Sequence, residues 1–182
     1  MNDKRINLIR ECEWEEVFLE WYKSEGENSG WIQLAQERGV ASWAEWRLKG
    51  YAKRFECAQA KWGFYEVDPA VILDWHGGPF RTWIEKYYGN QHTKTFAELA
   101  EKTDVLDNPS VKAIMENYPK NSIVSALELN DGRIFVIEGM HRTCSLACMI
   151  KQGKPLPNKL IFAIGKSDLA ELSTAGQNTF NK

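Results

Sequence analysis

The chain has 182 residues, 43% apolar and 26% charged, which fits an ordinary globular fold and excludes a disordered or low-complexity chain. Its 23 basic and 25 acidic residues give a net charge of −2, spread evenly along the chain, so a strongly basic nucleic-acid footprint is excluded, though not a local patch. Eight tryptophans (Trp14, Trp21, Trp31, Trp43, Trp46, Trp62, Trp75 and Trp83) all fall before residue 84, so the chain reads as two parts with different tasks.

Residues 1–61 read as a helical, Trp-rich N-terminal subdomain. Met1–Glu16 is charged and lacks an apolar run, which argues against a secretory signal, and no apolar stretch approaches membrane-span length. Trp14, Val17, Phe18, Trp21 and Tyr22 mark one face of a helix of about four turns. A polar, glycine-containing stretch from Lys23 to Gly30 ends it. A short helix is expected from Trp31 to Arg38, with Gly39 as its C-cap. Ser42 and Glu45 form a capping box for a helix running to about Ala60. Gln33–Val40 has helix-turn-helix spacing, but the next helix opens on two tryptophans, and a packed helical pair is the preferred reading.

Residues 62–168 read as a mixed domain, and 169–182 as a polar tail, frayed at Asn178–Lys182. Phe64–Pro69 alternates like a short strand. Asp74–Phe80 is a turn-rich loop. Helices are expected over Thr82–Tyr88, Thr95–Lys102 (a second capping box, Thr95 with Glu98) and Asn108–Asn117. Ile123–Leu129 and Arg133–Ile137 form a hairpin about Asn130-Asp131-Gly132, the second strand apolar enough to be buried on both faces. An apolar helical run (Cys144, Leu146, Ala147, Met149, Ile150) follows Arg142 and ends at Gly153. Lys159–Gly165 is the last strand. The four cysteines form no C-x-x-C pair; Cys144 and Cys148 read as buried helical thiols, and a reducing cytoplasm fits best.

The chemistry concentrates in Glu138-Gly139-Met140-His141-Arg142-Thr143. A strand delivers the chain to a glycine and a helix starts at once, so unpaired N–H groups and the positive end of the helix dipole face a potential anion. Arg142 offers a guanidinium fork, His141 a second donor or a proton carrier, and Glu138 a carboxylate able to take a proton or a Mg²⁺ ion. The plain alternative is that Arg142 only pairs with Glu138 and His141 only caps the helix.

With its flanking hairpin and following strand, Glu-Gly-Met-His-Arg resembles the signature of the ParB/sulfiredoxin superfamily over about residues 105–165. Residues 1–60 match no part of it. The resemblance implies an α/β (α+β) fold with a small mixed sheet. It also implies nucleotide (ATP, ADP or CTP) phosphates on the turn at Gly139–Thr143, and Glu138 acting on the acceptor or on nucleotide-bound Mg²⁺. Sulfiredoxin places its nucleophilic cysteine where Met140 stands, so sulfinic-acid reduction is not expected. Partition proteins carry Glu-Arg in place of Met140-His141 and continue into DNA-binding and dimerisation segments not seen here.

The reading is therefore a cytoplasmic nucleotide-binding NTPase or small-molecule phosphotransferase. Gly139, Met140, His141, Arg142 and Thr143 hold phosphates, and Glu138 and His141 are catalytic. On this reading Arg142→Ala abolishes nucleotide binding without unfolding the chain, and Glu138→Gln binds without turnover. The alternative is a non-catalytic DNA-associated or partner-binding module; even charge does not favour DNA. His76, Gly77, Gly78 and Arg81 form a second candidate ligand loop, although an ordinary turn explains them as well. Ser110 and Lys112 are weaker nucleotide candidates. His92 reads as a solvent residue, and the scattered histidines offer no protein metal cluster. Trp75 and Trp83 flank the second loop and are the tryptophans best placed to stack on a base or close over an acceptor. The other aromatics read as core, remote from the phosphates.

Overall fold

The computed structural model describes residues 5–119, 123–157 and 160–176. The chain is mixed α/β around a six-stranded mixed sheet of order β1-β2-β6-β4-β5-β3. The strands are β1 (Ile6–Cys12), β2 (Lys61–Val67), β3 (His76–Gly77), β4 (Ile123–Glu128), β5 (Ile134–Glu138) and β6 (Ile161–Lys166). β1, β2 and β6 pair antiparallel in turn, β6 runs parallel to β4, β4 and β5 form the expected hairpin, and β3 lies parallel to β5. Lys159 and the tail beyond residue 176 lie outside the described residues.

Strand β5 shows why the sheet has helices on both faces. All five of its residues are buried. Ile134 and Val136 face a core shared with Val124, Ala126, Phe162 and Ile164. Phe135 and Ile137 face the opposite core, with Leu127 and Ala163. This is the period-two alternation of a strand, apolar on both sides because both sides are covered.

The first core is closed by helices α4 (Arg81–Lys86), α5 (Phe96–Leu99), α6 (Thr103–Leu106), α7 (Pro109–Glu116) and α8 (Met140–Lys151). Their starts follow local chemistry. Thr95 and Glu98 make a complete capping box for α5, and the Asn108 side chain caps α7 ahead of Pro109. The second core is closed by α1 (Trp14–Trp21), α2 (Ser29–Glu37) and α3 (Trp43–Arg47). Trp14, Trp21, Trp43, Trp46 and Trp62 are buried there, and Trp31 packs against them. Trp75 and Trp83 belong to the first core.

Three expectations are corrected. Residues 1–61 are not purely helical: β1 pairs with β2, and the helices cover a face of the same sheet. β1 was illegible because its residues are largely exposed and show no alternation; pairing to the β2 edge makes it a strand. The helix expected to reach Ala60 ends its regular turns at Arg47, with wider π-helical turns over Leu48–Ala52 and a non-helical Gly50. The polar tail is anchored as far as it is described. Leu172 and Ala175 are buried, and Ala175 N–H donates to the Pro79 carbonyl at 2.9 Å.

In α3, Trp43, Trp46 and Arg47 are all buried, so this helix packs its tryptophans into the second core.

Candidate functional site

Strand β5 ends at Glu138, and Gly139 makes the turn into α8 with φ 90°. That left-handed conformation suits glycine, and a Cβ there would sit 2.9 Å from Val124 Cγ2 and 3.1 Å from Arg142 Nη2. No side chain caps the helix start. The first-turn N–H groups of a 12-residue helix therefore gather at Met140, His141 and Arg142, with the dipole behind them.

The side chains are less open than the sequence suggests. Arg142 Nη2 donates to both Glu138 oxygens, at 2.5 and 2.6 Å, and Nη1 donates to the Ile123 carbonyl at 3.1 Å. The pair is sequestered, with Glu138 at 5% and Arg142 at 12% side-chain exposure. Burial pushes the Glu138 carboxyl above its ordinary range, against the pull of Arg142. Burial likewise holds His141 below the ordinary histidine value, which favours the neutral ring. That ring packs against Trp83, centroids 5.2 Å apart. Met140 and Thr143 are buried, and Thr143 Oγ1 donates back to the Gly139 carbonyl at 3.1 Å.

Both Glu138 oxygens are engaged by Arg142 and the side chain is buried, so its charge is already compensated within the turn. Among the described residues, no group of three or more His, Cys, Asp or Glu side chains is placed to hold a metal.

The second candidate loop adjoins the turn as a piece of the sheet. His76 and Gly77 pair with Phe135 and Val136. Gly77 N–H donates to the Lys94 carbonyl at 2.9 Å, and Thr93 Oγ1 donates to the Gly77 carbonyl at 2.6 Å. Tyr88 Oη donates to the Gly78 carbonyl at 3.1 Å. The His76 ring stacks on Phe135 at 5.0 Å, and its buried Nδ1 has no partner among the described residues. Arg81 is exposed. A Cβ on Gly77 would collide with Tyr88 Oη and lie 2.9 Å from Met140 Cε. Tyr88 is fully buried and cannot swing away. Gly77→Ala is therefore expected to lower stability by about 1–3 kcal/mol as an overpacking change. A chemical-denaturation midpoint unchanged from wild type would show that the glycine is not required by packing.

Trp83 reaches the turn through His141, whereas Trp75 packs on Phe162 at 4.9 Å inside the core. Lys112 pairs with Asp107 at 2.9 Å and helps line a cavity of about 270 Å³ with Gln152 and Lys154, at the other end of α8 from the turn. Ser110 is exposed at the start of α7, its backbone N–H taken by Asn108, and His92 is exposed. A larger cavity of about 480 Å³, lined by Asn28, Trp31, Leu34 and Glu37 among others, shares no residue with the turn. Burial raises the Cys144 thiol well above its ordinary value, as fits a core residue.

Two charged residues of the Trp-rich layer belong to this neighbourhood and were missed. Trp21 Nε1 donates to Ser125 Oγ at 2.6 Å, and Ser125 is the cross-strand partner of Glu138. The π-helical turn after Trp21 carries Glu25, which accepts from Arg47 Nη2 at 2.5 Å. Both charges act on Glu138, and Glu25 acts on His141. The signal available was weak: a glutamate and an arginine among tryptophans, with nothing to mark them as a pair.

No protein-family model, curated protein or solved structure matches the chain. Among the described residues, no helix is long and apolar enough to cross a membrane.

Proposed function

We propose that the protein is a nucleotide-binding NTPase or small-molecule phosphotransferase of ParB/sulfiredoxin type, with its phosphate site on the Gly139–Thr143 turn. The observation that carries this is the uncapped start of α8 on a left-handed glycine, with an arginine held in the same turn. In this reading Glu138 is a positioning group: it aims Arg142, and Arg142 meets the phosphates. His141 is the catalytic residue. Favoured in its neutral form by burial, it takes the proton of the acceptor hydroxyl or water as the phosphoryl group passes to that oxygen and the shortened nucleotide leaves. Mg²⁺ enters with the nucleotide as its counter-ion. Trp83, beside His141, is the aromatic surface nearest the bound ligand. Cytoplasmic residence belongs to the same reading, since nucleotides and reduced thiols such as Cys12, Cys57, Cys144 and Cys148 coexist there.

A thermal-shift and calorimetry series with ATP, ADP and CTP plus Mg²⁺ tests it, because a ligand bound only by the folded chain raises the midpoint. At least one nucleotide is expected to bind. Arg142→Lys, which keeps a charge for Glu138 but loses the planar fork, is expected to weaken binding by about tenfold or more. Absence of binding by the wild type to all three nucleotides would overturn the reading. Binding without turnover would favour the non-catalytic module instead.

A further inference from the structure

Where the Trp-rich layer covers β5, two ion pairs lie close enough for their charges to act on one another. One is Glu138–Arg142 of the turn and the other is Glu25–Arg47. The bond from Trp21 to Ser125, the residue opposite Glu138, fixes this approach. Arg47 is held in an aromatic cage, its guanidinium carbon 4.7 Å from the Trp46 ring centroid, 4.9 Å from Trp31 and 5.5 Å from Trp43. Its side chain is 5% exposed, whereas that of Glu25 is 25% exposed.

A guanidinium fixed by aromatic faces keeps its donor edge for an anion, and the planar fork suits phosphate as well as carboxylate. Here the anion is a carboxylate of the same chain, the most exposed member of the two pairs and the one carried on a wide, irregular turn. We propose that Arg47 is a second phosphate-binding arginine of the Gly139 turn, and that Glu25 is the internal carboxylate a bound phosphate displaces from it. This rests on the phosphate reading of the turn and adds to it: the Trp-rich layer completes the site and holds it closed when empty. Glu25 acts on His141 and Glu138 as well as on Arg47, so its departure also changes the field at the turn. Displacement alters contacts among three tryptophans, so the event reports itself in indole fluorescence.

The test titrates wild type and Glu25→Gln with inorganic pyrophosphate and with ADP, followed by calorimetry and tryptophan fluorescence. Glu25→Gln removes the competing charge and is expected to bind both probes about tenfold more tightly, a typical coupling between linked equilibria. The wild type alone is expected to show a large fluorescence change on binding. The double variant Glu25→Met, Arg47→Met is expected to bind at least tenfold more weakly than Glu25→Gln. If Glu25→Gln melts below the assay temperature, Glu25→Asp, which keeps the charge but shortens its reach, is expected to bind more tightly than wild type. Equal affinities of wild type and these single variants would overturn the displacement while leaving the phosphate site standing. Failure of all of them to bind either probe would overturn the site, and the displacement with it.

Discussion

Arg142→Ala is expected to cost about 3–5 kcal/mol of folding stability, because it leaves the Glu138 carboxylate buried without its partner. Glu138 is 6% exposed, both its oxygens are bound by Arg142, and burial already raises its carboxyl. The variant also strips a donor from the Ile123 carbonyl. The expectation from sequence that this substitution spares the fold is therefore withdrawn. Urea denaturation of wild type, Arg142→Ala and the double variant Arg142→Met, Glu138→Leu measures the effect. The double variant replaces both charges with apolar groups and should recover most of the loss. A single variant within about 1 kcal/mol of wild type would mean that the pair is solvated in solution. For the same reason, loss of nucleotide binding in Arg142→Ala proves nothing about contact with phosphate, and Arg142→Lys is the better probe.

Trp21→Ala is expected to cost about 3–5 kcal/mol, the range for emptying a large aromatic from a core. Trp21 is 1% exposed, meets Trp14 edge-on at 5.2 Å and donates to Ser125 Oγ in the sheet. Losing that bond leaves the fully buried Ser125 hydroxyl without it. Trp21→Phe isolates the bond and should cost about 1–2 kcal/mol. The shape of the transition matters as much as the midpoint. Trp62, Phe64, Phe135 and Ile137 of the sheet share one core with the helices, so layer and sheet should unfold in a single step. A two-step denaturation curve for Trp21→Ala, with the sheet surviving loss of the helices, would restore the independent N-terminal subdomain.

Much of the local structure was written in short-range chemistry. The box at Thr95 and Glu98, the Asn108-Pro109 start and the hairpin around Asn130-Asp131-Gly132 are satisfied by neighbours within a few residues, so the sequence carries them directly. The turn at Gly139 was legible on the same grounds, since an apolar strand, a glycine and an apolar helix leave the chain few alternatives. β1 was not legible, because an exposed strand with no alternation depends on an edge formed some fifty residues later. The short His76–Gly77 strand likewise takes its form from β5.

The sequence by itself determined where the β4–β5 hairpin, the helix caps and the uncapped helix start fall, because those are settled by backbone conformation and adjacent side chains. Tertiary structure alone decided what surrounds that helix start. It turned Glu138 and Arg142 from two displayed groups into a buried pair, made His76–Gly77 a packed strand against Met140, and brought the charges of Glu25 and Arg47 to bear on the turn. Charge pairing and burial act through space, and Arg47 and Glu138 lie 91 positions apart in the chain, a distance that sequence pattern cannot bridge.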